Sequence, residues 1–280
     1  MDWSYKAVLT AMTVGAVLMS ARLMGRRVAG LLAGLPVITI PALLWVAQEQ
    51  GIDFAARSAL GSAAACAMAP LFAAGFVLLA PRVGATVGLA GAALVAWAAV
   101  ALSQGLAPQP WLHLVAAVVS CGGVGWLLCG RQPVPPQQDP ADGADRRLTA
   151  APRFVAGEPW ATAVLAGTVS AAVSLLAARV GPFWSGVLST LPLISACALW
   201  HLQRRHGASA LPGFVAGYLA GVLAKAVFAC SFAWLAPRWG LAPAMALALA
   251  AGGAAALVVT HWRHGAMGPT LPAVAAARRH

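Results

Sequence analysis

The chain has 280 residues, 61% of them hydrophobic and 9% charged, against about half and about a quarter in an ordinary soluble domain. That composition excludes a water-soluble core and predicts an all-α polytopic membrane protein, because no run alternates with the period of two that an outer-membrane strand requires. Nor does the net charge of +11 mark a nucleic-acid binder: the arginines stand in short loops beside apolar runs, without interleaved aromatic platforms, which suits topology and anionic lipid headgroups.

Counting apolar runs of roughly 20 residues predicts nine spans, at about 7–24, 28–48, 55–79, 83–103, 111–129, 160–178, 182–202, 209–235 and 240–261. The first follows Lys6 and resembles a cleavable signal. It has a counterpart at 163–180, deep inside the chain, and is therefore read as a permanent helix. The second span, "GLLAGLPVITIPALLW" (30–45), is interrupted by Pro36, with Thr39 three residues on. Glu49, Asp53 and Arg57 follow in a solvated loop, Asp53 and Arg57 at a spacing that suits a helical ion pair. The third span holds Pro70, and the fourth and ninth are rich in Ala and Gly. After the fifth, residues 131–158 are dominated by Pro, Gln, Asp and Arg, the composition of a linker with no core of its own. The seventh span, within "GVLSTLPLISACALW" (186–200), is interrupted again, by Pro192 with Ser195 three residues on. The eighth carries Lys225 near its middle, in "AGVLAKAVFACSF", where a lysine costs about 2.5–3.5 kcal/mol on insertion scales.

The two interruptions belong to a longer repeat. Slid against itself by 156 residues, the chain matches at 19 of the 61 positions from Gly30 to Ala90. The matches include Leu35/Leu191, Pro36/Pro192, Ile38/Ile194, Gly51/Gly207, Phe72/Phe228 and the run Leu79 to Arg82 with Leu235 to Arg238. Five spans separate the starts of the copies, so the second enters the bilayer from the opposite side. The expected organisation is a four-helix repeat (1–103), an extra helix (104–130), a cytoplasmic linker (131–158), an inverted four-helix repeat (159–262) and a cytoplasmic tail (263–280). The loops after spans 1, 3, 5 and 7, with the C-terminus, hold 13 of the 18 Lys and Arg residues. Lys6, Arg57, Arg179 and Arg238 fall on the other face. The positive-inside rule then predicts an inner-membrane protein with its N-terminus outside and its C-terminus in the cytoplasm.

Each mid-span proline lacks an amide proton and is expected to leave a carbonyl without its donor, at Leu32 and at Leu188. In inverted-repeat transporters, paired broken helices meet near the midplane and bind substrate there. Pro36, Thr39, Pro192, Ser195 and Lys225 are accordingly the candidate substrate-binding residues, Lys225 as a counter-charge for an anion or as a proton carrier. The plainer alternative is architectural: proline kinks are common in membrane helices, hydroxyls bond back to their own turn, and a lysine can snorkel or staple free carbonyls.

The chemistry of enzymes is missing from the pattern. No Ser-His pair, paired carboxylates or GxxxxGK[ST] loop stands in or near the spans, so no catalytic residue is assigned and an enzyme is not expected. The five cysteines lie within spans without a CxxC, and His261 and His264, spaced i, i+3, read as interfacial anchors rather than metal ligands. No metal or cofactor is expected. The partners expected are membrane lipids and a small-molecule solute, with no nucleic acid; Gly/Ala faces leave a homo-oligomer open.

Ala33, Gly34, Leu35, Pro36, Thr39, Glu49, Gly51, Ala55, Arg57 and Pro70 together resemble the pattern of the GlpM-like small inner-membrane proteins: an Ala-Gly-Leu start, a Pro-Thr break, Glu-x-Gly-x-x-x-Ala-x-Arg and a later proline. The resemblance covers residues 28 to 103, and the second repeat departs from it, lacking the acidic residue. It implies a fused, antiparallel pair of GlpM-like units and an association with exopolysaccharide production. Two function classes therefore stand side by side. One is a secondary transporter or exporter of a small, anionic solute; the other is a non-transporting scaffold for envelope polysaccharide assembly.

Overall fold

The computed structural model describes residues 4, 5, 7–12, 15, 26–103, 109–129, 158–208 and 211–266, and their regular structure is helical throughout. Beyond the short N-terminal stretch, the helices are α1 (Arg26–Gly34), α2 (Thr39–Gln50), α3 (Ile52–Val83), α4 (Ala85–Ser103), α5 (Pro110–Cys129), α6 (Glu158–Ser189), α7 (Leu193–His206), α8 (Leu211–Trp239) and α9 (Leu241–Ala266). Six segments of the described residues are long and apolar enough to cross a membrane: Gly30–Gln50, Ile52–Val83, Ala85–Ser103, Pro110–Leu128, Leu211–Trp239 and Leu241–His261. They match six of the spans expected from hydropathy. The expected spans 160–178 and 182–202 are helical too, within α6 and α7. The expected span 7–24 falls largely outside the described residues, as do linker residues 131–157 and most of the tail, whose first four residues extend α9.

Glycine punctuates the helices. Gly51, Gly84, Gly181, Gly207 and Gly240 have φ between 68° and 90°, and for the first four ψ is near ±160–170°, a region almost closed to side-chain-bearing residues. Gly51 shows the use of this geometry. Its N–H donates to the Ala47 carbonyl (3.1 Å) and its own carbonyl accepts from Ala55 N–H (3.2 Å), so one residue ends α2 and starts α3. Gly84 and Gly240 do the same between α3 and α4 and between α8 and α9.

α3 and α8 pack against each other at the centre; α4 lies on α3, α9 on α8, and α5 touches both central helices. Burial separates the layers: 72% of the apolar window of α8 is buried, against 17% for α4 and 22% for α9. The outward residues of the outer helices, among them Leu94, Leu102, Leu257 and Val258, are apolar, as a lipid-facing layer requires.

Backbone approaches are close where α1 meets α8 and where the end of α6 meets α3. A Cβ at Gly30 would collide with the Phe214 carbonyl, and one at Gly34 with the Tyr218 carbonyl. A Cβ at Gly186 would strike the Ser58 carbonyl. Small residues at such contacts replace the hydrophobic driving force that helices lack in lipid with tight van der Waals packing.

Candidate functional site

The helix containing Pro36 is broken, not merely bent. The last regular bond of α1 is Leu35 N–H to Leu31 O (3.1 Å); Val37 N–H turns back to Leu35 O (2.8 Å), and Ile40 N–H to Pro36 O (2.9 Å) opens α2. At the second break the helix first tightens. Thr190 N–H donates to Val187 O (3.0 Å) and Leu191 N–H to Leu188 O (3.2 Å), then Ala196 N–H bonds Pro192 O (2.6 Å) as α7 begins. The expectation of an unpaired carbonyl at Leu188 is thus corrected: a bond from the residue three ahead takes the place of the one proline cannot make.

The two breaks face each other across a cavity of about 30 Å³, walled by Gly34, Leu35 and Ile38 from the first and by Ser189 to Pro192 from the second. Cys66 of α3 and Tyr218, Val222 and Lys225 of α8 complete it. Lys225 lies 14 residues from either end of α8 (Leu211–Trp239), which puts it at the depth where a charge is hardest to solvate. It is 8% exposed, and the Cys66 thiol is in electrostatic contact with it.

Hydroxyl groups hold the crossing together. Thr39 Oγ1 donates across to Ser189 O (3.2 Å) and so ties the first break to the second. Ser62 Oγ of α3 donates to Gly186 O (2.9 Å). Ser195 Oγ donates to Pro192 O (3.0 Å) within its own turn, and its side chain is also hydrogen-bonded to the Tyr218 phenol. Thr190 behaves differently: it is 8% exposed, it lines the cavity, and its Oγ1 is buried without a hydrogen-bond partner among the described residues.

Of the five residues singled out from the sequence, Lys225 and Pro192 line the cavity. Pro36 is buried beside it, with its neighbour Leu35 in the wall. Thr39 and Ser195 serve backbone carbonyls of the second break. Sequence reasoning missed Thr190, Cys66 and Tyr218. Tyr218 carried a signal, being one of two tyrosines in the chain and well inside an apolar run; Thr190 and Cys66 carried none beyond their place in a span.

A second cavity, of about 200 Å³, adjoins the first along Ala69, Thr190, Leu191 and Pro192. It opens between α3, α4 and the second break, and its remaining wall is apolar, including Met68, Phe72, Leu89 and Trp97. Among the described residues no group of three or more His, Cys, Asp or Glu side chains is placed to hold a metal ion. Comparison of the chain with protein-family models, curated proteins and solved structures finds no match to any of them.

Proposed function

We propose that this protein is a secondary transporter or exporter of a small anionic solute in the cytoplasmic membrane, with its site where the two broken helices cross. The observation that carries this reading is the meeting of both breaks and a mid-helix lysine around one cavity. A lysine retained at that depth against its insertion cost is a functional marker by default, and broken helices around a midplane cavity are a known transporter device. Lys225 is the counter-charge or the proton carrier. With no nucleotide-binding loop in the sequence, the energy source is an ion gradient or the gradient of the solute itself.

In this reading the chain is an inverted repeat of GlpM-like units, oriented by its arginines with the N-terminus outside. Support comes from positions 156 residues apart. Gly30 packs on Phe214 and Tyr218 just as Gly186 packs on Ser58 and Ser62. Gly51 and Gly207, like Gly84 and Gly240, share the same unusual φ. The cavity between the breaks has room for one or two water molecules.

One observation favours the scaffold reading: the crossing is tight, with glycine backbones in direct contact and a cavity of only about 30 Å³. Uptake of a panel of small solutes into proteoliposomes, at several pH values and with Lys225→Ala in parallel, separates the two. Transport that varies with pH and is lost in the variant is the expected result. Absence of flux for every solute, with both proteins folded, assigns the breaks to architecture.

A further inference from the structure

Three features meet around the second break. The Thr190 hydroxyl is more than nine-tenths buried and unpartnered. It stands in the wall shared by the small cavity and the apolar one. Lys225 faces the small cavity without a carboxylate in electrostatic contact with it among the described residues. The apolar pocket, about 200 Å³, has more room than the roughly 150 Å³ of an apolar cavity that takes up benzene. A small pocket walled in part by Lys225 therefore shares a wall with an apolar pocket the size of one or two rings, and the Thr190 hydroxyl stands in that wall.

From this juxtaposition we infer that the solute is an amphipathic monoanion: a carboxylate-sized head between Lys225 and the Thr190 hydroxyl, and an apolar body in the pocket lined by Met68, Phe72 and Trp97. This inference rests on reading the crossing as the solute site. The buried Thr190 hydroxyl has no partner among the described residues, and one carboxylate would accept from it and from the Lys225 ammonium together. The apolar pocket gives that carboxylate a reason to be carried on a hydrophobic body rather than alone. The features are one-sided as well. At the positions 156 residues away stand Gly34, which has no side chain, in place of Thr190, and Ala69 in place of Lys225. The backbone crossing therefore does not need either polar group.

The test is equilibrium binding of radiolabelled benzoate to the purified full chain in lipid nanodiscs. Acetate (head alone) and benzyl alcohol (body alone) serve as competitors, and flux of benzoate and acetate is measured in proteoliposomes. Benzoate is expected to bind at least tenfold more tightly than either competitor. Lys225→Met should abolish binding, and Thr190→Val should weaken it about fivefold. Ala96→Leu fills the apolar pocket and should weaken benzoate at least tenfold while leaving acetate unchanged; Ala93→Leu, from the same wall, replaces it if that variant does not fold. Equal affinity for acetate and benzoate, or an unchanged ratio in a folded filling variant, overturns the amphipathic solute while anion flux leaves the transporter standing. Equal affinity for benzyl alcohol overturns the role of the anionic head. Neither binding nor flux of any anion, with folded protein, overturns the transporter reading itself and this inference with it.

Discussion

At the first break α1 stops at Gly34, where the missing side chain lets the backbone lie against Tyr218. At the second break, 156 residues on, stands Thr190, whose hydroxyl faces a cavity with nothing to bond. The hydroxyls that follow the prolines also diverge: Thr39 reaches across to Ser189, while Ser195 closes on its own Pro192. The helices beside the breaks diverge most, with Ala69 in α3 and Lys225 in α8. The residues the two breaks share, Leu-Pro-x-Ile and the packing glycines Gly30 and Gly186, build the crossing. The residues they do not share, Thr190 and Lys225, are the ones the proposed function assigns to the solute.

The strongest way to break this comparison is to attack the shared packing. Gly30→Val and Gly186→Val each drive a branched side chain into a neighbouring helix backbone, and each is expected to cost about 3 kcal/mol. Thermal unfolding in detergent should show two similar losses, and tolerance of one substitution would end the equivalence. Next in size is Lys225→Met, expected to act with the opposite sign. Removing a buried ammonium that has no carboxylate in electrostatic contact with it among the described residues should stabilise the protein by about 2 kcal/mol in the same assay, while solute uptake is lost. A variant that is less stable than the parent would make Lys225 a structural staple instead.

Gly51→Ala and Gly207→Ala sharpen the comparison at the helix junctions. Nothing lies within 4 Å of a Cβ at either position, so the whole effect is backbone strain, about 1–2 kcal/mol in each case. Unequal losses would show that the two junctions are held differently. The smallest effects are expected at the hydroxyls. Thr39→Val removes a bond that spans the breaks and should cost about 1 kcal/mol. Ser195→Ala should cost about the same, since Pro192 O keeps its bond from Ala196 N–H but the buried Tyr218 phenol loses its bond with Ser195. Denaturant titration of the two variants side by side checks that the losses are equal.

The sequence was most legible where a property is local. Apolar runs marked α2 to α5, α8 and α9 because a helix in lipid must be apolar along its whole exposed length and satisfy its own backbone. Pro36 and Pro192 marked the breaks because each lacks the amide that the ladder needs. Lys225 drew attention by its position alone, since no neighbour in the sequence offsets its charge. Legibility failed where a partner comes from another helix. That Leu188 O is bonded by Leu191, and that Thr39 donates to Ser189 O of the second break, depend on how the chain tightens and on which carbonyl lies opposite. Thr190 looked like any span threonine because an unsatisfied hydroxyl is defined only by what surrounds it.

Composition and pattern by themselves determined that this chain forms apolar helices, where glycine separates them, and that two of them break at proline. These outcomes follow from backbone sterics and hydrogen-bond capacity, which each residue carries wherever it is placed. Tertiary structure alone decided that the two breaks and Lys225 surround one cavity, that Thr190 has no hydrogen-bond partner there among the described residues, and that an apolar pocket lies beside it. Those are facts about distances between α3, α8 and the two breaks, set by how closely glycine lets their backbones approach.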